Sequence, residues 1–373
     1  MNVPLTARTR EQLMMMTIPQ IREELKNNGI NMRGLRLKND LIRRYLDSIS
    51  PINSINLTNS KTPIKDVMTP LRELKITLKP QHKNQIQIPV QIISPNADYN
   101  IEILPNPPHG CVAFEQGKRP EMEDAHVIAE LQIRDRFAIL YGVFDGHRSD
   151  DVANYLADVF PESLAVYLLK VNNLDDQDEV IDAFEQAIIN EDINMYKNGD
   201  LHGDRFLGGS TGVMALRIDN DLYVANLGDS RGIVFDQDGN LILETIDHKP
   251  NREIHAIMAA KGIVRNNRVG GILAVSRSFG DFRNELKLLN DVYLGVDAPL
   301  SSMPDIYPLE LEDLQNPTLV LACDGLWDVF SSLEVIDYIR LSPHPITACH
   351  DLINEAINKR NSRDNVTVLI APL

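Results

Sequence analysis

Cysteine is nearly absent from this chain. Its three residues, Cys111, Cys323 and Cys349, lie far apart in 373 and form no CxxC pair. That pattern excludes a disulfide framework and a cysteine-built zinc site, and it reads as reduced thiols in an intracellular protein. No apolar run approaches the ~18 residues of a membrane helix, so no membrane partner is expected. The opening Met-Asn-Val-Pro-Leu-Thr-Ala-Arg holds no apolar signal core, and the expectation is a cytoplasmic and/or nuclear protein. Neither an internal repeat nor a low-complexity tract is present. What remains is ordinary globular composition, 43% hydrophobic and 24% charged, enough for a large buried core.

The net charge of −16 conceals two opposite parts. Residues 1–95 hold 15 Lys+Arg against 7 Asp+Glu, and residues 96–373 hold 22 against 46. A basic head on an acidic body suggests different partners for each. The acidic body argues against nucleic acid as its ligand and fits a domain that concentrates carboxylates for cations, although most of these carboxylates form a solvated surface.

Hydrophobic periodicity divides the chain further. Thr17-Ile-Pro-Gln20 carries capping chemistry for a helix running to about Asn28 and closed by Gly29. A second helix is expected from Lys38 to Asp47. Residues 1–50 thus read as a small basic helical module, and residues 51–100 as a linker and extended segment in which Ile86, Ile88, Val90 and Ile92 alternate with polar neighbours and proline. From Gly110 onward short strand-like runs dominate, at 137–144, 211–218, 222–227, 231–236, 241–246, 318–323 and 365–370, with a hairpin signal at Asp238-Gly239. Amphipathic helices are expected at 151–170, 179–197, 251–262, 333–341 and 346–359. Strands and helices are grouped instead of strictly alternating, which points to an α+β fold with mostly antiparallel sheets and helices packed outside.

The chemistry lies in where certain acids stand. The apolar strand Phe137–Phe144 ends in Asp145-Gly146-His147, and Thr318–Cys323 ends in Asp324-Gly325. Asp364 precedes the run from Asn365, and Glu123-Asp124 follows a basic Gly-Lys-Arg-Pro turn. Acids at the ends of buried strands can converge on one mouth of a sheet structure, where they are costly unless paired or metal-bound. No cysteine cluster or histidine pair accompanies them. Oxygen-only ligation suits Mg²⁺ or Mn²⁺ better than Zn²⁺, and two such ions ~3.5–4 Å apart serve displacement at phosphorus. Each motif alone is weak, since an Asp-Gly at a strand end is more often a turn.

Together the motifs resemble the protein phosphatase 2C family of metal-dependent Ser/Thr phosphatases. They run in order from Gly110 to Leu373: Arg119-Pro-Glu-Met-Glu123-Asp124, Phe144-Asp-Gly-His147, Gly209-Ser-Thr211, Ala225-Asn-Leu-Gly-Asp229-Ser-Arg231, Asp247-His-Lys-Pro250, Leu273-Ala-Val-Ser-Arg277-Ser-Phe-Gly-Asp281, Cys323-Asp-Gly-Leu-Trp-Asp328 and Ser362-Arg-Asp364-Asn-Val-Thr367. The resemblance implies a catalytic domain over residues 101–373, a β-sandwich of two antiparallel sheets flanked by helices, and phosphoprotein substrates. It implies two Mg²⁺ or Mn²⁺ ions, with a weaker third. Asp145 would bridge both ions, Glu123, Asp324 and Asp364 would complete one, and the Gly146 carbonyl the other. Asp229 with Asp324 would form the third site, and Asp124 would hold water beside the ions. Arg119 would bind the substrate phosphate and His147 would be the general acid, against bland readings as a surface ion pair and a structural histidine. Asp281 reads as a metal ligand or an orienting acid, with the orienting role favoured, His126 and His248 as loop-stabilising, Gly208–Thr211 as turn packing and Trp327 as core.

Two positions depart from the family pattern. Ser149 stands where glycine is usual, after Arg148, and Glu253 is followed by Ala256 where arginine is usual, which puts the flap's packing and substrate preference in question. No metal acid is missing. This favours an active phosphatase over a catalytically weak scaffold that binds phosphoproteins. Residues 17–49 resemble, more loosely, a SAP-type DNA-binding module through Ile21–Leu25, Gly29 and Lys38–Leu46, where Arg33, Arg36, Lys38, Arg43 and Arg44 could meet phosphates. DNA or chromatin binding, protein docking and a solvated basic face all stay open for this segment. No aromatic platform for single strands is visible.

Overall fold

Alternation along two central strands sets the layers of this domain. In the strand Val366–Pro372, Val366, Val368 and Ile370 enter one hydrophobic cluster, while Leu369 and Ala371 enter another. Strand residues point alternately to opposite faces, so a strand with a core on each side is apolar throughout. The computed structural model describes residues 100–103, 110–202, 208–289 and 292–373, all within the unit Ile86–Leu373. The expected basic module over 1–50, its residues Arg33, Arg36, Lys38, Arg43 and Arg44, and the alternating segment near Ile86 lie outside the described residues.

Among the described residues, eleven longer strands build two sheets: β1 (Asn100–Ile103), β2 (Cys111–Glu115), β3 (Asp124–Ile133), β4 (Arg136–His147), β5 (Gly212–Ile218), β6 (Asp221–Leu227), β7 (Arg231–Phe235), β8 (Leu241–Glu244), β9 (Asp305–Glu310), β10 (Thr318–Ala322) and β11 (Val366–Pro372). The first sheet runs β1-β2-β11-β10-β7-β8. The second carries β4-β5-β6-β9, with β3 paired to β4 and the short strands Gly209–Ser210 and Phe279–Gly280 continuing beside the end of β4. The pairings within both are antiparallel. Their inner faces meet through Val112, Leu319, Leu321 and Leu369 on one side and Tyr141, Val143, Val213 and Val224 on the other.

Helices close the outer faces. α1 (Asp151–Leu168) packs on β3 and β4 and against α2 (Gln177–His202). A short α3 (Ile254–Ala259) belongs to a satellite core of Ile257, Val269, Val275, Leu286 and Leu300. α4 (Asp324–Trp327) follows β10 directly. α5 (Ser332–Leu341), opened by a Ser331–Glu334 capping box, and α6 (Pro345–Asn354) cover the first sheet through Val335, Ile336, Leu352 and Ile353. The result is a helix–sheet–sheet–helix sandwich, as the sequence implied.

Most expected elements are present, with four strands unforeseen: β1, β2, β3 and β9. β3 opens with Asp124 and has mixed burial, so its sequence lacks clean alternation. β9 holds a proline at Pro308 near the sheet edge, which masks a strand signal. The helix expected over 251–262 is confined to Ile254–Ala259. Glu253 before it is engaged by Arg277 and Ser276, and Lys261 after it takes a left-handed φ of 63°. Trp327 is buried in the core as expected, its Nε1 donating to the Ala322 carbonyl at 2.9 Å.

Candidate metal centre and active site

Antiparallel order brings one end of each sheet to the same mouth. β3 begins and β4 ends there, which makes Asp124 and Asp145 direct partners across the ladder. β6 ends two residues before Asp229. From the first sheet, β10 delivers Asp324 as the first residue of α4, and β11 starts two residues after Asp364. The Asp324-Gly325 turn lies hard against β11: a Cβ at Gly325 would come within 1.8 Å of the Asn365 carbonyl oxygen. No residue but glycine permits that approach.

Hydrogen bonds fix the carboxylates. Thr367 Oγ1 donates to Asp124 Oδ2 at 2.6 Å, and Asp124 Oδ1 is buried with no hydrogen-bond partner. Lys249 Nζ reaches Asp229 Oδ2 at 2.5 Å. Arg119 Nε donates to Asp364 Oδ1 at 2.7 Å, and its Nη2 lies 3.7 Å from Glu123 Oε2. Asn365 ties the Arg119–Glu123 turn to β11, accepting from the Glu123 amide at 2.9 Å and donating to the Gln116 and Glu121 carbonyls. The Gly146 amide donates to the Glu123 carbonyl at 3.2 Å, and the Asp145 carbonyl accepts from Thr211.

These acids repel one another. Burial, then the charges of Asp324, Asp124, Asp229 and Asp364, push Asp145 well above the usual carboxylate range. Burial, then Asp229, Asp328 and Asp364, do the same to Asp324. Burial raises Asp124 to about 6 against the hydrogen bond from Thr367 and the neighbouring Cys323 thiol. Burial also raises Glu123 against the Arg119 charge, and raises Asp229 against Lys249. A set of mutually repelling, buried oxygen donors with an orphaned oxygen at Asp124 is what a hard divalent cation would satisfy. The donors present therefore fit metal binding. A ligand atom from each of Asp124, Asp145 and Cys323 lies within 4.8 Å of the others, so a thiol borders an otherwise oxygen-lined site.

His147 ends β4 on the far side of Asp145. Its Nε2 lies 2.5 Å from Asp281 Oδ2, so Asp281 orients the histidine and does not join the acid cluster. Burial opposes the Asp281 charge, but the charge and hydrogen bond of His147, with Arg283, hold that carboxyl down at about 2. Gly209 lies beneath this pair: a Cβ there would fall 2.2 Å from Asp281 Oδ2. The Gly208–Thr211 segment is thus close-packed turn chemistry, as its sequence suggested.

The two departures resolve locally. Among the described residues, the left-handed conformation after Asp-Gly-His falls on Arg148, at φ 73°, and not on Ser149. Glu253 needs no arginine at position 256: both its oxygens accept from Arg277, which also donates to Asp305 Oδ1 at 3.0 Å and the Met303 carbonyl at 2.8 Å. His248 is buried beside them, accepting the Gly228 amide at Nδ1 and facing Asp305 through Nε2, which is loop stabilisation as expected. His126 lies on β3 with its ring 5.0 Å from Phe114.

Sequence reasoning passed over Lys249, Thr367 and Asp328. Asp328 follows Asp324 by four residues on a helical turn, its amide bonded to the Asp324 carbonyl. That spacing puts both acids on one face and was the available signal. The roles of Thr367 and Lys249 had none beyond their motifs.

The family described as "Protein phosphatase 2C" matches residues 112–366. Protein phosphatase 1L of Bos taurus is 35% identical over 264 residues, covering 68% of this chain and 69% of that protein. Among solved structures, a Caenorhabditis elegans sex determining protein aligns with a TM-score of 0.59 at 22% identity, covering 74% of this chain and 65% of that one. The serine-threonine phosphatase 2C from Toxoplasma gondii aligns with a TM-score of 0.56 at 23% identity, covering 73% and 99%. At those identities the two structures establish the fold.

Proposed function

The chain belongs to the protein phosphatase 2C family, hydrolysing phosphoserine and phosphothreonine in proteins with metal ions, and from that premise we propose how its own residues divide the work. Two divalent ions, Mg²⁺ or Mn²⁺, fit the carboxylate-lined mouth, with a weaker third beside Asp229 and Asp324. Asp145 would bridge the pair, Glu123, Asp324 and Asp364 would complete one side, and the Gly146 carbonyl the other. Bound there, the ions would supply an activated water and neutralise charge on the phosphoryl oxygens.

The protein does the rest. Arg119 binds the substrate phosphate through its planar fork, aimed by Asp364 and Glu123. Asp124 holds water through its unpartnered oxygen. His147 donates a proton to the departing serine or threonine oxygen from Nδ1, because Asp281 occupies Nε2. The observation that carries this reading is the mutual repulsion of Asp145, Asp324, Asp124, Asp229 and Asp364 in one mouth, an arrangement without purpose unless cations enter.

The test is phosphate release from a phosphothreonine peptide by the full chain in Mn²⁺, in Mg²⁺ and in EDTA, with Asp324→Asn alongside. Release with either ion, lost in EDTA and in the variant, is expected. No release from folded, metal-loaded wild type would overturn it and leave a phosphoprotein-binding scaffold.

For residues 1–50 we propose a targeting role, on DNA or chromatin or on a partner protein, supported by the positive charge of that segment. We also propose residence inside the cell, cytoplasmic and/or nuclear, supported by three cysteines in thiol form, of which Cys111 and Cys349 meet sulfur to sulfur at 3.2 Å without a disulfide. Duplex-DNA binding by the full chain that weakens steeply with salt would support DNA over protein docking. Salt-independent binding, or none, would remove it. Among the described residues no helix is long and apolar enough to cross a membrane.

A further inference from the structure

Behind the active site lies a charged cluster that touches none of the acids of the mouth. Lys287 and Asp192 are both fully buried. Lys287 Nζ donates to Asp192 Oδ1 at 2.8 Å and Oδ2 at 2.7 Å, and to the Ser278 carbonyl at 2.7 Å. Tyr293 donates its hydroxyl to Asp192 Oδ2 at 2.6 Å. The Tyr293 ring stacks on Tyr196, centroids 4.9 Å apart, and Phe282 packs against both rings. A buried ion pair is seldom the most stable filling for a core; hydrophobic residues of similar volume often do as well or better. Its presence calls for a role other than stability.

The remaining hydrogen bond names that role. Asp192 Oδ1 also accepts the backbone amide of Gly280 at 2.8 Å. Gly280 and Asp281 both adopt left-handed conformations, with φ of 71° and 55°. For Asp281 that is a strained backbone state, which persists only where surrounding contacts over-determine it. Those contacts are the Asp192 bond to Gly280, the Lys287 bond to Ser278, and the Asp281 amide donating to the Gly208 carbonyl. The turn so held presents Asp281 Oδ2 to His147 at 2.5 Å.

We propose that Asp192, Lys287 and Tyr293 are positioning residues for the proton donor. They lock the Ser278–Asp281 turn so that Asp281 fixes the ring of His147 for transfer to the leaving oxygen. This rests on His147 being the general acid. The line of contacts runs from α2, through Asp192 and the Gly280 amide, to Asp281 and His147, so a helix that never meets substrate sets the geometry of proton transfer. An error of about an ångström in such a group is costly to rate.

Leaving-group chemistry separates positioning from mere support. A serine or threonine alkoxide is a poor leaving group and needs the proton, whereas p-nitrophenolate departs with little help. Loss of general-acid geometry therefore slows the phosphothreonine peptide more than p-nitrophenyl phosphate, while general loosening slows both alike. The experiment measures kcat on both substrates, in saturating Mn²⁺, for the full-length wild type, Tyr293→Phe, Asp192→Asn and His147→Gln. Tyr293→Phe removes one hydrogen bond and keeps the ring, so it decides the matter even where Asp192→Asn does not fold. The expected result is a peptide-to-aryl rate ratio about tenfold lower in Tyr293→Phe and Asp192→Asn, part of the ~10²–10⁴-fold that general-acid catalysis supplies. His147→Gln should lower the ratio further. A split in His147→Gln with a wild-type ratio in Tyr293→Phe would overturn the positioning role alone. A wild-type ratio in His147→Gln would overturn the general-acid reading beneath it, and the proposal with it.

Discussion

Arg119 and Asp364 are joined by a 2.7 Å hydrogen bond from Nε to Oδ1, so the cation proposed for the phosphate is held by one of the acids proposed for metal. Glu123 Oε2 lies 3.7 Å from Nη2 of the same guanidinium. Asn365 fixes the whole turn on β11. The proposed phosphate and metal sites therefore belong to one hydrogen-bonded unit.

That unit makes Arg119 poorly replaceable by lysine. An ammonium in its place would keep the charge but could not hold Asp364 as Nε does while presenting two further donors in the same plane. Arg119→Lys is expected to lower kcat/KM on a phosphothreonine peptide by about tenfold, ~1.4 kcal/mol, chiefly through KM, and Arg119→Ala by more. Steady-state kinetics at saturating Mn²⁺ checks this. A lysine variant with wild-type kcat/KM would mean that the guanidinium contacts only protein.

The repulsion at Asp145 predicts opposite effects on stability and activity. Asp145→Asn replaces the carboxyl that burial and the charges of Asp324, Asp124, Asp229 and Asp364 push well above the usual range. In EDTA the variant should melt ~2–4 °C above the wild type, the shift from about 1 kcal/mol in a domain of this size. Added Mn²⁺ should then stabilise the wild type more than the variant, since only binding to the native state raises the melting point. Activity of the variant should fall about a thousandfold, the several kcal/mol such ions contribute. Equal melting points in EDTA would argue against the electrostatic account of the mouth.

The acids were legible because each ends or starts an apolar run: Asp145 after Phe137–Phe144, Asp324 after Thr318–Cys323, Asp364 before β11. Alternate-face burial made the central strands readable for the same reason. β3 was not, since it begins with the buried acid Asp124 and has a mixed pattern. The Lys287–Asp192 pair could not be read at all: 95 residues separate its members, and while Asp192 follows Asn190-Glu191 as on a surface, Lys287 stands among leucines that name no partner. Pairing across such a distance is a property of the fold, not of local spacing. The orienting role of Asp281 was legible only through its motif, because nothing local shows that the turn is left-handed.

Arg148 offers a test of backbone strain beside the site. Its φ of 73° lies in the region that side-chain-bearing residues enter at a cost of ~1–2 kcal/mol. Arg148→Gly should therefore raise stability, by ~0.5–1 kcal/mol after the added flexibility of the unfolded chain is counted. Ser149→Gly restores the family's usual residue, yet Ser149 is not left-handed, so it should gain nothing and lose ~0.5 kcal/mol to chain entropy. Urea midpoints of the two variants give the comparison directly. A larger gain from Ser149→Gly would show that the left-handed position had been assigned to the wrong residue.

Asp281 should give the folded protein an acid-sensitive contribution of definite sign. Its carboxyl is held at about 2 in the fold, because the charge and hydrogen bond of His147, with Arg283, outweigh burial. In the unfolded chain an aspartate titrates near ~3.9. Between those values the unfolded state binds more protons, so stability falls as pH falls. The contribution, about 2 kcal/mol, is complete above pH ~4 and is lost progressively as pH drops through ~2. Asp281→Asn lacks this titration. In EDTA, the difference in unfolding free energy between wild type and Asp281→Asn should be largest at pH 6 to 7 and narrow by pH 3. A difference that stays constant with pH would mean that His147 does not hold Asp281 as an ion pair, and that the 2.5 Å contact is a neutral hydrogen bond.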